Sequence, residues 1–208
     1  MEEQSFHTVT DIVSITKQRV KVIFDTEDSL LFFTNEIKKS DIHIGMQMPQ
    51  TVFLQLKNEN VFVKAKRKAL DLLTRSDHSE KELTEKLIRY GFSQEIADRA
   101  VSYVKAHRYL DDERYAMNYI EFRSSKKSNR QLRRELLCRG IDSEKIDEMM
   151  EERNDSEILQ ELVRKKICNV TNPDEKAIQR LKNSFYRKGF SFSAIERAFE
   201  SVLEHMER

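Results

Sequence analysis

The sequence is poor in the residues that most often announce chemistry. Its 208 residues hold two cysteines, two prolines, four glycines and five histidines. Cys138 and Cys168 stand alone, and each falls within a helical pattern. That excludes a disulfide scaffold and points to structural thiols in a reducing cytoplasm. The histidines are scattered, with no His or Cys at ligand spacing, so neither metal nor cofactor is expected. No apolar run approaches the ~20 residues of a membrane span. The opening MEEQSFHTVTD lacks the basic flank and apolar core of a secretory signal.

What is present is periodic. Apolar residues make up 38% and charged residues 35% of the chain. The apolar ones recur at helical spacing, which argues for surface-rich helical modules rather than disorder. Three of the four glycines, Gly91, Gly140 and Gly189, fall at a constant interval of 49 residues, in KLIRYGF, LLCRGI and FYRKGF. An interval of this kind is the signature of a structural repeat. Before each glycine lies a capping signal: Ser79 with Glu82, Ser128 with Gln131, and Asn172 with Pro173 at the first helical position and Glu175 at the third. Between cap and glycine the apolar positions coincide. Leu83, Leu87 and Ile88 correspond to Leu132, Leu136 and Leu137, and to Leu181, Phe185 and Tyr186, all expected on one buried face. Each glycine then takes a left-handed conformation that ends the helix, and an apolar residue (Phe92, Ile141, Phe190) latches the turn.

Further periodic segments precede and follow each of these helices, so each repeat is three helices. Residues 1 to 48 differ. DIVSI, RVKVIF and SLLFF are short β-branched and aromatic runs separated by turn residues, followed by a short helical piece, NEIKKSD. So few strands should lean on the helices beyond Pro49. The expected fold is mainly α: three tandem three-helix repeats in an elongated array behind a small β-rich N-terminal module. The expected segments are 1–48, 49–108, 109–154 and 155–208.

Catalytic signals are missing. Every repeat glycine is a lone helix stop, which leaves no phosphate-cradling loop. The paired carboxylates of YLDD read best as structure, with Tyr109 and Leu110 in the core and Asp111 or Asp112 capping the next helix. Charge, in contrast, is strongly segregated although the net charge is +1. RSSKKSNRQLRRELLCR carries seven cations, Arg123, Lys126, Lys127, Arg130, Arg133, Arg134 and Arg139, against the single acid Glu135. Residues 142–161 then carry nine acids against two bases, and residues 164–188 turn basic again. The seven cations have the electrostatic footprint of phosphate-backbone contact or of docking on an acidic surface. No aromatic residue is interleaved with them, so base stacking is not expected there.

RSDHSEKELTEKLIRYGF, YLDDERYAMNYIEFR and RRELLCRGI together resemble the linked signatures of the RecX regulatory proteins, over about two-thirds of the chain. Two positions depart from the usual pattern: Tyr90 where a basic residue is usual before the glycine, and Arg108 where a glycine often precedes YLDD. The resemblance implies a non-enzymatic, monomeric modulator of the RecA recombinase, with no cofactor. Its partners would be RecA and the RecA–single-stranded DNA filament, whose ATP hydrolysis, strand exchange and coprotease activity it would suppress during recombination and DNA repair. The seven cations are then the candidate contacts to RecA or DNA. The alternative is a protein that binds DNA directly and without sequence preference, through helix-turn-helix-like repeats.

Overall fold

A computed structural model describes residues 5–168 and 174–206. The chain forms two compact units, Met1–Asp111 and Asp112–Arg208.

The first unit opens with an antiparallel sheet of β1 (Phe6–Thr16), β2 (Arg19–Phe24), β3 (Ser29–Phe33) and the short β4 (Gln47–Pro49), in the order β3-β2-β1-β4. Period-two alternation turns Val20, Val22 and Phe24 of β2 inward. β1 starts earlier than DIVSI because Phe6–Thr8 pair with β4, a strand too short to show as a periodic run. The helical piece after β3 is α1 (Thr34–Ser40). From Pro49 the chain enters one long helical run: α2 (Gln50–Gln55), a π-helical segment (Leu56–Val61) and α3 (Phe62–Arg75). The π segment turns Lys57 inward, where its ammonium lies 2.5 Å from Glu95 and 3.4 Å from Asp28. α4 (Glu80–Tyr90) and α5 (Gln94–Ala106) complete the unit. Phe24, Leu30 and Phe53 share one continuous core with Leu83, Leu87, Ile96 and Ala100, so the sheet does lean on the helices.

The second unit contains α6 (Asp112–Arg123), α7 (Asn129–Cys138), α8 (Ser143–Met150), α9 (Asp155–Ile167), α10 (Glu175–Arg187) and α11 (Phe192–Met206). It has two smaller cores. One gathers Ala116, Leu132, Leu136 and Ile146 from α6 to α8, the other Leu159, Val163, Phe185 and Phe199 from α9 to α11.

The three glycine turns share one geometry. Gly91, Gly140 and Gly189 have φ of 121°, 84° and 90°. Each glycine N–H donates to the carbonyl three residues back, at 2.9 Å, and the next residue's N–H donates to the carbonyl five back, at 3.1–3.4 Å. This is the Schellman pattern, complete with the predicted apolar latch: Phe92, Ile141 and Phe190 are buried. Ser79 and Glu82 form a full reciprocal capping box. Ser128 accepts the Gln131 N–H at 3.2 Å, but the Gln131 side chain donates to Glu135 instead of reaching back.

Several expectations need correction. The third apolar position of each repeat, Ile88, Leu137 and Tyr186, is exposed rather than buried. At 100° per residue, a position five beyond Leu83 lies about 140° away from it, off the buried stripe. Leu110 is in the core, but Tyr109 is 54% exposed and stacks beside His107. Both cysteines are exposed. The cap of α10 is Asp174, whose carboxylate accepts the Ala177 N–H at 2.7 Å, and Glu175 is the first helical residue rather than the third. Asn172 and Pro173 lie outside the described residues. An ionised Asp is the stronger partner for the positive end of the helix, so the helix starts two residues late.

Candidate polyanion-binding site

All seven sequence-predicted cations sit in the second unit, but the fold does not use them alike. Four are tied inward. Lys127 donates to both carboxylate oxygens of Glu135 at 2.6 Å. Arg133 pairs with Asp147 and donates to the Ser143 hydroxyl at 2.6 Å. Arg139 donates to the Tyr115 hydroxyl and to the Glu135 carbonyl, both at 3.0 Å. Arg123 and Arg139 both lie 4.6 Å from the Tyr119 ring. Tyr119 donates its hydroxyl to Glu135 at 2.5 Å. Its own pKa is pushed up to about 12, by burial first and then by that hydrogen bond. Burial works to raise the Glu135 carboxyl, but hydrogen bonds from Lys127 and Tyr119 prevail and hold it below its ordinary value.

Lys126, Arg130 and Arg134 remain exposed. Among the described residues, no carboxylate lies within ion-pair distance of any of them. The loop that carries Lys126 is held in place from beneath. Arg153 donates to the carbonyls of Ser124 and Lys127, both at 2.6 Å, and to the Asn129 side chain. Arg130 and Arg134 are one turn apart on the outer face of α7.

The turn at Gly189 brings new residues to that face. Ser128 donates its hydroxyl to the Lys188 carbonyl at 2.9 Å, docking the α10 turn on the N-terminus of α7. A Cβ at Gly189 would stand 2.5 Å from Ser128 Oγ and 3.2 Å from Gln131 Cβ, so only glycine allows the approach. Arg130, Gln131 and Arg134 thereby meet Tyr186, Arg187, Gly189 and Phe190 around a cleft of about 250 Å³. Sequence reasoning missed Tyr186 and Arg187 as members of this site. Their only signal was the basic turn of residues 164–188, some fifty residues away along the chain.

The acidic flank has structural duties as well. Asp142 caps α8, Asp147 holds Arg133, and Asp155 accepts the Asn129 N–H at 2.9 Å. Glu148, Glu151 and Glu152 stay exposed. YLDD stands at the start of α6, with Asp111 immediately before the first helical residue. Among the described residues, no cluster of three or more His, Cys, Asp or Glu could hold a metal ion, and no helix is long and apolar enough to cross a membrane.

Capped three-helix modules in tandem define a helical-repeat protein. Three family models match in sequence order: the first RecX three-helix domain at residues 65–111, the second at 111–150 and the third at 154–199. The chain belongs to the RecX family of regulatory proteins. A RecX regulatory protein from Caldanaerobacter subterraneus subsp. tengcongensis is 36% identical over 139 residues, covering 64% of this chain and 68% of the relative. One from Clostridium acetobutylicum is 27% identical over 212 residues and spans 97% of this chain and 98% of the relative. A crystal structure of a RecX regulatory protein matches with a TM-score of 0.58 over 93% of this chain and 99% of its own, at 18% identity. RecX from Lactobacillus salivarius matches with a TM-score of 0.54, also at 18% identity, over 68% of this chain and 96% of its own.

Proposed function

We propose that this protein is a non-enzymatic regulator that binds RecA and the RecA–single-stranded DNA filament and lowers its ATPase, strand-exchange and coprotease activities. Membership of a family of regulatory proteins supports the regulatory role. The observation that carries the choice of partner is that both signs are offered to solvent: exposed guanidiniums on α7 and α10, and exposed carboxylates on α8 and just past its end. A nucleoprotein filament offers both phosphates and protein charge, and so complements both signs. Tandem modules suit a partner that repeats along an axis, since several weak contacts then act at high effective concentration.

The test is a titration of the protein into RecA-dependent ATP hydrolysis on single-stranded DNA. Wild type should slow hydrolysis progressively. Reversing only the two free arginines, Arg130→Glu with Arg134→Glu, should raise the protein needed for half-inhibition by about tenfold or more. Arg133 is left alone because it holds Asp147 and Ser143. A hydrolysis rate that stays flat as wild-type protein is added would overturn the proposal.

A further inference from the structure

The cleft at the Gly189 turn combines three features, of which phosphate attraction alone requires only the first. Arg130, Arg134 and Arg187 supply planar guanidiniums, the side chains best suited to phosphate oxygens. The one carboxylate on α7, Glu135, is already balanced by Lys127 and Tyr119, so it does not cancel their field. The pKa of Lys188, next to Arg187, is lowered by burial first and then by the like charge of Lys166.

The second feature is an aromatic platform. Tyr186 lies 63% exposed on the rim of the cleft. The equivalent residues of the other repeats, Ile88 and Leu137, are also exposed but are aliphatic. The third feature is an unused acceptor: Gln131 Oε1 is buried at the cleft and has no hydrogen-bond partner among the described residues. A buried acceptor without a donor is costly and rare in native structures, and a ligand N–H would relieve it. The surface continues along α10, where Arg180 and Asn183 join Tyr186 and Arg187 in a second, shallower hollow.

Guanidiniums flanking an exposed ring and a lone acceptor fit a nucleotide better than an acidic side chain, which has no face to stack and no N–H to donate. At about 250 Å³ the cleft falls below the ~300–1,000 Å³ of a small-molecule pocket. A ring platform serves only an unpaired base, because bases in a duplex are already stacked. We infer that this cleft binds single-stranded nucleic acid, with one base stacked on Tyr186 and donating to Gln131, and with the flanking phosphates held by Arg130, Arg134 and Arg187. The inference deepens the proposed function by naming the residues that would meet the filament's DNA strand, and it rests on that reading only for its biological setting.

The test uses the full chain alone, without recombinase, so it stands or falls independently of the ATPase titration. Binding is followed by the anisotropy of a fluorescently labelled oligothymidine and of an abasic oligomer of equal length. Tyr186→Ala should weaken oligothymidine binding by about tenfold, a loss of ~1.4 kcal/mol within the range for one stacked base. Tyr186→Phe should keep the affinity, and neither change should alter binding of the abasic oligomer. Arg187→Gln should weaken both and flatten the salt dependence by about 0.7 in slope for each phosphate no longer neutralised. Circular dichroism serves as the folding control, and the exposure of Tyr186 makes an intact fold the expected result. Unchanged oligothymidine binding by Tyr186→Ala, or an equal loss on both oligomers, would overturn the stacking site. Displacement of the oligomer by polyglutamate as effectively as by unlabelled oligothymidine at matched charge would overturn it too, and would assign the cleft to an acidic protein surface.

Discussion

The glycine turns of the first and third repeats have the same backbone and opposite surroundings. At Gly91 an added Cβ would meet Ile15 at 2.3 Å and Leu31 at 2.9 Å, both from the sheet. At Gly189 it would meet the Ser128 hydroxyl and Gln131. One turn closes a hydrophobic core; the other seats on a polar helix cap and forms one wall of a cationic cleft. A repeated motif therefore fixes where the chain turns, and the neighbour decides what the turn is for. The basic residue that precedes the other two repeat glycines, Arg139 and Lys188, gives way to Tyr90 where the sheet packs: Tyr90 lies under the Arg19 guanidinium at 3.9 Å, with Lys68 at 5.0 Å.

The largest expected effect tests that difference. Gly91→Val should destabilise the first unit by ~2–5 kcal/mol, the left-handed penalty added to overpacking against Ile15 and Leu31. Gly189→Val should cost less stability, ~1–3 kcal/mol, but should push Ser128 off its cap and open the cleft. Denaturant unfolding of both variants, with oligothymidine binding measured alongside, separates them. Equal losses of stability and of binding in the two variants would break the comparison.

Ser128 sharpens it. Ser128→Ala removes both the cap on Gln131 and the bond to Lys188, and should cost ~1–2 kcal/mol. Ser79→Ala should cost ~1 kcal/mol through its cap. If Ser128→Ala leaves the melting midpoint unchanged, the seat under the Gly189 turn is not holding it.

The smallest effect concerns a left-handed residue that is not glycine. Arg108 has φ of 57°, immediately before YLDD. Arg108→Gly should raise stability by about 0.5–1 kcal/mol, the relief of the Cβ penalty less the extra entropy of the unfolded chain. A lowered melting midpoint would mean that the Arg108 side chain contributes more than its backbone costs.

Much of this fold was legible because it is local. Helical periodicity, the Ser79 and Ser128 caps and the Schellman turns depend on residues within one or two turns of each other. The misses are long-range or turn on phase. Ile88, Leu137 and Tyr186 are apolar enough to suggest burial, yet their angular position leaves them outside. β4 shows only through pairing with Phe6–Thr8. The seven cations read as one cluster because charge is visible in sequence while partnership is not. Nothing near Arg133 announces Asp147 on another helix, and nothing in RSSKKSNRQLRRELLCR announces the Tyr186 ring that completes the cleft.

The π segment at Leu56–Val61 has a consequence for how this chain can vary. A π turn is an α-helix carrying one residue more than its hydrogen bonding needs, and each residue adds about 100° of rotation. Upstream of it the helix keeps Phe53 in the core beneath the sheet; downstream it keeps Ala65 and Ala69 in the core on the face that packs against α5. Those two faces are phased by the surplus residue, and Lys57 occupies the wider turn with its ammonium between Glu95 and Asp28. The segment works as a vernier between sheet and repeat. It is the place in the first unit where a codon inserted or deleted would change the setting of one against the other without breaking the helix.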